Sequence, residues 1–362
     1  MAYRTLDDRD VRDRALNDPE GLLDELGEGG GVLDEVQRAP GLLLALKAVV
    51  DREQRPGRYL LSGSNQPKVS HAIADSLQGR TAYRTLRPLT LSEQRYEERH
   101  RGWELLFAGN EEGVLTALSQ REQASGALDW REVARTGGFP RVLAVSPEDR
   151  LRLLDDYVQT FVRRDIREVL GIESVERFES FLRLAATQTG QQLNASALSA
   201  DLGTPVNTIR RWVDALVRSY QVELIPPYSR NAGQRVIKAP KLFVVDVALA
   251  LAAARELEPT GFHLETLVAA DMCAWRDNAP GRGLYHWRLA SGQEVDFVLE
   301  DGKQLLPVEI KTSAHVDSGD ARHLRTFRAM HSNAPRGLLL YGGPGIRILT
   351  DGIIAAPWWA VL

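Results

Sequence analysis

The chain has 362 residues, of which 43% are hydrophobic and 26% are charged, and its formal net charge is −4 at pH 7. At about 150 residues per domain, this length predicts two or three domains with room for buried cores. The longest apolar stretch, Val247 to Ala254, is far too short to span a bilayer, so the composition excludes a membrane-embedded or disordered protein.

The first residues mix acids with arginines and hold no apolar core, which argues against a secretory signal peptide. The single cysteine, Cys273, cannot form an internal disulfide or a cysteine-based zinc site. We therefore expect a protein of the reducing cytoplasm. Residues 204–241 hold seven Lys/Arg and two Asp/Glu. Such a local basic surface is typical of a phosphate-bearing partner or of a solvated structural face.

Three blocks follow one another along the chain. In the first block the pattern predicts a helix over 10–26, a strand over 32–34, a helix over 40–51 and a strand over 58–62. Residues 1–145 are thus predicted to form an α/β module. Residues 146–255 are predicted to be mostly helical, and residues 256–362 again alternate helix and strand. The sequence predicts a multi-domain α/β protein with these three domains.

Two acids end the first predicted strand, because Val32 and Leu33 lead into Asp34 and Glu35. Such a pair can hold Mg²⁺ with the aspartate and polarise water with the glutamate, as in a Walker B motif, although any strand can end in Asp-Glu. The next predicted strand ends in small polar residues, Ser62-Gly63-Ser64-Asn65. Together the two strand ends predict one half of a nucleotide site.

Several longer sequence segments resemble those of a known protein family. They are GVLDEVQRAP, DREQRPGRYLLSGSNQ, SLQGRTAYRTLRPLTLSE, GGFPRVL, YVQTFVRRDIREVLGI and KAPKLFVVDVALA. The chain resembles the prokaryotic AAA-type ATPase family that ends in a paired domain of unknown function. The resemblance implies that Asp34 and Glu35 are the Walker B pair. It further implies that Ser64 or Asn65 is the sensor residue and that Arg80 contacts phosphate.

The family normally carries a P-loop, G-x-x-x-x-G-K-[ST], whose backbone N–H groups cradle the phosphates. These 362 residues contain no such string; Lys303 follows a glycine, but Gln304 stands where Ser or Thr is required. The resemblance places the P-loop before the segment that begins at Tyr3. We therefore expect the chain to start after the P-loop, through a late start codon or true truncation, and to bind ATP only if a P-loop is supplied upstream.

The segment from Leu193 to Tyr228 predicts a winged helix, because apolar residues recur at helical spacing on both sides of a turn at Gly203. Pro205 opens the second helix, whose N-terminal end is where a recognition helix meets DNA. The residues expected to contact nucleic acid are Arg210 and Arg211 on this helix and Arg230 and Arg235 on the wing. Docking of a protein partner is the alternative for this module.

A third group of candidate functional residues lies near the C-terminus. Strand alternation sends Asp296 away from its apolar neighbours, and in V-E-I-K it puts Glu309 and Lys311 on one face. Asp followed by E-x-K on adjacent strands resembles the PD-(D/E)XK nuclease fold. The resemblance implies that Asp296, Glu309 and Glu265 bind Mg²⁺, a hard ion that prefers oxygen ligands. It assigns to Lys311 the orientation or activation of the attacking water.

The sequence leaves three functions open. The first is an ATP-binding, ATPase-like AAA protein that is impaired in nucleotide binding because Walker A is absent. The second is a Mg²⁺-dependent DNA nuclease, and the third is a non-catalytic regulator that binds DNA or protein. The partners to expect are double-stranded DNA, a partner protein or a second copy of the chain, and no membrane.

Overall fold

The computed structural model describes residues 2–53, 55–63, 79–96, 101–162, 174–229, 239–350 and 352–362. The chain divides into two compact units. The first unit comprises Met1–Arg84 with Arg218–Tyr220, and the second comprises Thr85–Val217 with Gln221–Leu362. Both units mix helices and sheets, as the sequence predicted for a multi-domain α/β protein. The domain boundaries expected near residues 145 and 255 stay a prediction.

A parallel three-stranded sheet forms the centre of the first unit. Its strands, in spatial order, are β1 (Ala2–Thr5), β2 (Gly31–Asp34) and β3 (Tyr59–Leu61). The helices are α1 (Arg9–Asn17), α2 (Pro19–Glu25) and α3 (Leu42–Glu53), and a short 3-10 turn covers Val36–Arg38. Leu22, Leu33 and Leu46 pack in one buried apolar cluster. This packing places Asp34 at the carboxyl end of the central strand.

The prediction of a single helix over residues 10–26 was wrong, because two helices, α1 and α2, form there. Asp18 has φ −142° and ψ 66°, and Pro19 is the first residue of α2. Proline lacks a backbone N–H and disfavours helical geometry in the residue before it. The Asp18 carboxylate then caps α2 by accepting a hydrogen bond from the Gly21 N–H at 3.0 Å.

Glycine permits the close approach of β2 to the chain that leads into β3. Gly30 has φ +63°, and a Cβ at this position would lie 2.0 Å from the carbonyl oxygen of Arg58. The next residue, Gly31, donates its N–H to the same carbonyl at 3.2 Å. A side chain at residue 30 would therefore separate the two strands.

The second unit begins with a helical part. Its helices are α4 (Leu91–Gln94), α5 (Arg101–Phe107), α6 (Glu111–Ser125), α7 (Trp130–Thr136), α8 (Pro140–Leu143) and α9 (Pro147–Thr160). Trp103 and Trp130 are buried in the same apolar cluster as Trp358 of the last helix, α16 (Trp358–Val361). The helical part therefore shares its core with the C-terminal end of the chain.

A three-helix block with a small sheet follows. Its elements are α10 (Val175–Thr187), β4 (Gln191–Gln192), α11 (Ala195–Leu202), α12 (Val206–Arg218), β5 (Val222–Ile225) and β6 (Lys241–Val244). The sheet is antiparallel with the order β4-β6-β5. Gly203 ends α11 in the left-handed conformation, with φ +56°. Trp212 of α12 packs against Phe178 and Phe181 with ring centroids 5.6 and 5.4 Å apart.

A six-stranded sheet and two helices complete the second unit, after the buried helix α13 (Val247–Ala254). The elements are α14 (Gly261–Asp277), β7 (Arg282–Arg288), β8 (Glu294–Asp301), β9 (Gln304–Lys311), α15 (Arg322–Met330), β10 (Gly337–Tyr341), β11 (Arg347–Thr350) and β12 (Ile353–Pro357). The strand order is β11-β12-β10-β9-β8-β7. Strands β7, β8 and β9 are antiparallel, whereas β10 runs parallel to both of its neighbours.

The two faces of this sheet contribute to different apolar clusters. Phe297 packs with residues of α14 such as Met272, whereas Val298 packs with Phe327 of α15. This is the alternation expected of a strand that is covered on both faces. Within the described ranges, no helix is long and apolar enough to cross a membrane.

Candidate functional site

Four carboxylates and two lysines meet where α14, β6 and the strands β8 and β9 come together. We call this group the acid–lysine cluster; its members are Lys241, Glu265, Glu294, Asp296, Glu309 and Lys311. Strands β8 and β9 pair Phe297 with Val308, so Asp296 and Glu309 are neighbours on adjacent antiparallel strands. The fold thus brings together all four residues that the sequence predicted for this site.

Lys241 lies in the middle of the cluster. Its Nζ is 2.9 Å from Glu294 Oε1, 3.5 Å from Glu265 Oε2 and 3.7 Å from Asp296 Oδ1. The lysine side chain is only 5% exposed. Among the residues that the structure describes, no three Asp, Glu, His or Cys side chains are arranged to share a metal ion. A lysine ammonium therefore stands between carboxylates for which the sequence predicted a metal.

The two strands hold the other carboxylates by different contacts. Asp296 Oδ2 accepts a hydrogen bond from the backbone N–H of Ile310 at 2.9 Å. Glu309 Oε1 accepts one from Lys311 Nζ at 2.8 Å. The other carboxylate oxygen of Glu309, Oε2, is buried and has no hydrogen-bond partner within the described ranges. An unsatisfied buried oxygen is costly, so this atom is available to a cation or a water molecule.

The electrostatics of the cluster favour uptake of positive charge. Burial, and then repulsion by Asp296, raises the pKa of Glu265 and of Glu309 to about 8. Burial also raises the pKa of Asp296. For Lys241, burial alone would lower the pKa, but the surrounding carboxylates raise it overall. At neutral pH, Glu265 and Glu309 therefore tend to hold a proton, which offsets the excess of four carboxyl groups over two lysines.

An open cleft of about 1120 Å³ runs over the cluster. Its lining includes Lys241, Glu265, Glu294, Asp296 and Glu309 of the cluster. It also includes Asn194 to Ser196 at the start of α11, Arg210 of α12, and Arg288 of β7. The three-helix block and the six-stranded sheet therefore line one cleft, which holds both arginine and carboxylate side chains.

The four arginines predicted to contact nucleic acid differ in their placement. Arg210 and Arg211 are both exposed on α12, and of the two only Arg210 lines the cleft. Arg230 and Arg235 lie outside the described residues. Asn194 caps α11 by accepting from the Ala197 N–H at 3.0 Å, which orients the start of this helix beside the cleft.

In the first unit, Asp34 at the end of β2 is already hydrogen-bonded through both carboxylate oxygens. Ser62 donates its hydroxyl to Oδ1, and Tyr3 donates its hydroxyl to Oδ2 at 2.9 Å. The Ser62 hydrogen bond is the main cause that lowers the pKa of Asp34. Asp34 is therefore an ionised acid that is satisfied by two neighbouring strands.

The other predicted residues of the nucleotide site have local partners. Glu35 has φ +59°, accepts a hydrogen bond from Gln37, and has a pKa that burial raises. Arg80 forms an ion pair with Asp51, with its Nη2 3.2 Å from Oδ2. Ser64 and Asn65 lie outside the described residues.

Family models match three consecutive parts of the chain. An AAA domain matches residues 1–94, a domain of unknown function (DUF8612) matches residues 127–260, and a second domain of unknown function (DUF4143) matches residues 260–361. Together these matches support an AAA-type ATPase family with C-terminal domains of unknown function. The resemblance seen in the sequence is thereby confirmed.

Relatives of this AAA-type protein are described only as uncharacterized proteins. One from Mycobacterium bovis and one from Mycobacterium tuberculosis are each 28% identical over 339 residues, which is 90% of this chain and 67% of theirs. A relative from Haemophilus influenzae is 22% identical over 285 residues, or 77% of this chain and 64% of its own length. The chain thus spans about two thirds of the length of these relatives.

Among solved structures, a protein from Vibrio cholerae matches at 15% identity, with 90% of this chain and 71% of that chain covered. The TM-score is 0.20, which is too low to equate the two folds.

Sequence reasoning missed two members of the cluster in this AAA-type protein. Glu294 could have been predicted, because it lies two residues before Asp296 on the same strand and therefore shares a face with it. Lys241 had none, because a lysine at the start of an apolar strand is common and its carboxylate partners lie far away in sequence. The first unit shows a similar case in Tyr3, which reaches Asp34 from the neighbouring strand.

Proposed function

We propose that the second unit of this AAA-type protein binds nucleic acid in the cleft and hydrolyses a phosphodiester bond with the help of a divalent metal ion. One observation carries the proposal: Arg210 of the three-helix block lines the same cleft as Asp296 and Glu309. Arginine suits phosphate through paired N–H donors, and carboxylates suit Mg²⁺ or Mn²⁺. A cleft that offers both matches a metal-bound phosphodiester.

The placement of the acids supports a PD-(D/E)XK-like arrangement. Glu265 lies on a helix, Asp296 on one strand, and Glu309 with Lys311 on the adjacent strand, as the sequence resemblance implies. The three-helix block supports a winged-helix assignment, because two helices joined at Gly203 precede the antiparallel strands β5 and β6.

The chemistry of the donors suits a divalent metal ion, but their present spacing does not: no three such side chains in the described residues are arranged to share one while Lys241 stands among them. All the candidate ligands are carboxylate oxygens, and Glu309 Oε2 is a buried oxygen without a hydrogen-bond partner in the described part of the chain. Asp296, Glu309 and Glu265 would hold the ion, and its chemistry there would be to offset charge on the phosphate and to favour loss of a proton from water. Hydrolysis forms a bond from the water oxygen to phosphorus, breaks a P–O ester bond, and passes a proton from the water to the leaving oxygen or to solvent. Lys311 would orient the water and balance the negative charge that develops on the phosphate.

The proposal is tested by incubating the purified chain with labelled single-stranded and double-stranded DNA and Mn²⁺ or Mg²⁺. We expect metal-dependent cleavage by the wild type and none by the Glu309→Ala, Lys311→Ala double variant. Lys303→Ala, which removes an exposed lysine in the turn between β8 and β9, is the matched control and should cleave normally. Cleavage that persists in the double variant would reveal a contaminating enzyme, and no cleavage by the wild type would contradict the proposal.

Duplex DNA is the substrate that α12 is expected to hold, chiefly through phosphate contacts. Replacing Arg210 and Arg211 by alanine should weaken binding and lower the slope of log affinity against log salt by about one for each lost contact. The measurement is a fluorescence titration at several salt concentrations. An Arg152→Ala, Arg177→Ala variant removes two exposed arginines from α9 and α10 and is the control. Unchanged affinity and slope in the first variant would instead identify α12 as a protein-docking surface.

For the first unit we infer weak nucleotide binding by these 362 residues. The sequence holds no G-x-x-x-x-G-K-[ST] string to cradle phosphates. In addition, Ser62 and Tyr3 already occupy both carboxylate oxygens of Asp34, so a Mg²⁺–ATP complex would have to displace them. This supports the view of a family member that is impaired in nucleotide binding.

Calorimetric titration of the chain with ATP and Mg²⁺ is therefore expected to show no micromolar binding. Asp34→Ala is the accompanying variant and should leave the titration unchanged, because Asp34 has no held phosphate to act upon. Micromolar affinity in the wild type that is lost in Asp34→Ala would overturn this inference and would require an unconventional phosphate cradle.

A further inference from the structure

The position of Lys241 is not explained by the proposed function alone. The residue begins β6, and its backbone pairs with Gln192 and Ile225 in the small sheet of the three-helix block. Its side chain extends into the cluster, where the three nearest carboxylate oxygens lie 2.9 to 3.7 Å from Nζ. A side chain from one part of the cleft therefore neutralises acids that belong to another part.

Two of these acids, Glu265 and Asp296, are also ligands of the metal in the proposed function. Buried carboxylates repel one another and are costly when unpaired, and an ammonium group offsets much of this cost. A divalent ion between the same two carboxylates would lie within a few ångströms of the ammonium and would be strongly repelled by it. The two cations therefore cannot share this position.

We propose that Lys241 is a built-in counter-cation that competes with a divalent metal for Glu265 and Asp296, so that metal binding requires the ammonium to leave them. This inference rests on the metal site of the proposed function. A second observation points to a ligand at the same place. Glu309 lines the cleft, is only 6% exposed, and leaves Oε2 without a hydrogen bond within the described ranges. The lysine thus covers one side of the site, while a carboxylate oxygen on the other side stays available.

Lys311 is the natural comparison, because it carries the same charge on the same cluster. Its Nζ is 2.8 Å from Glu309 Oε1, but its side chain is 36% exposed, so water screens its charge more than that of Lys241. Removing Lys311 changes the net charge as much as removing Lys241. A difference between the two variants therefore reports the position of the ammonium and not the total charge.

The test is a calorimetric titration of the full chain with Mn²⁺, with melting temperatures recorded in parallel. Lys241→Met keeps the length of the side chain and removes its charge, and we expect it to bind Mn²⁺ at least about tenfold more tightly than the wild type. Lys241→Arg keeps the charge and should bind as weakly as the wild type. Lys311→Met should give a smaller gain. If Lys241→Met does not fold, Lys241→Gln takes its place, because the neutral amide still hydrogen-bonds to the carboxylates.

The outcomes separate this inference from the proposed function. Tighter binding by Lys241→Met that is lost when Asp296→Asn is added supports the inference and locates the gain in the cluster. Equal affinity in the wild type and Lys241→Met overturns the inference and leaves the metal site standing, as does an equal gain in Lys241→Arg. Binding by neither protein overturns both.

Discussion

Replacing Asp296 by asparagine is expected to abolish the rise in melting temperature that Mn²⁺ or Mg²⁺ gives the wild-type protein. A ligand that binds only the folded state at 100 times its Kd stabilises a protein by about 2.7 kcal/mol, or roughly 5 °C for a unit of this size. Asp296 neighbours Glu309 on the adjacent strand, its Oδ1 is 3.7 Å from Lys241 Nζ, and its Oδ2 accepts a hydrogen bond from the Ile310 N–H. The asparagine amide removes the charge that the metal ion needs.

The measurement is thermal unfolding followed by circular dichroism, with and without metal, for both proteins. Asp214→Asn is the control, because Asp214 is exposed on α12 and is not among the residues that line the cleft, and it should keep the full rise. A rise of equal size in Asp296→Asn would place the metal elsewhere. A wild type whose melting temperature does not respond to metal would remove the metal hypothesis.

The second large effect is expected at Asp246, where Asp246→Ala should destabilise the second unit by about 3 kcal/mol. This fully buried carboxylate accepts hydrogen bonds from the Leu249 N–H at 2.9 Å and from the Gly138 N–H at 2.6 Å. The first bond caps α13, and the second ties the α7–α8 connection to it. Alanine would leave two buried donors without acceptors, in addition to removing the helix cap.

Denaturant unfolding measures this loss as a lower midpoint. Asp246→Asn should fall between the wild type and alanine, because the amide oxygen can accept only one of the two bonds. Asp129→Ala removes an exposed cap from α7, where Asp129 accepts from the Arg131 N–H at 2.9 Å, and should cost about 1 kcal/mol. Equal losses in Asp246→Ala and Asp129→Ala would show that burial adds nothing to the cap.

The local sequence pattern was sufficient to predict a helix or strand where the residues that determine it are close together in sequence. Strand β2 forms over Gly31–Asp34, within one residue of the predicted strand over 32–34, because a short apolar run bounded by turn residues defines a strand. Period-two alternation likewise predicted that Asp296 and the pair Glu309 and Lys311 would meet. The helix over residues 10–26 failed at Pro19, where a capping aspartate and a proline start a new helix.

Contacts between residues that are far apart in sequence could not be predicted from the local pattern. Lys241 begins β6, and nothing in the sequence indicates that its ammonium reaches Glu265, Glu294 and Asp296. The same holds for the cleft that joins Arg210 to the acids, because its shape depends on how the three-helix block packs on the sheet. The sequence shows which residue types are present, but only the three-dimensional structure shows which of them lie next to one another.

Anomalous X-ray diffraction from crystals soaked in Mn²⁺ tests the metal site most directly, because it locates the ion without relying on activity. We expect a peak beside the carboxylates of Asp296, Glu309 and Glu265, with the Lys241 ammonium moved away from it, and no peak there in Asp296→Asn crystals. Manganese bound elsewhere in the chain, with none at these carboxylates, would show that the cluster is not a metal site.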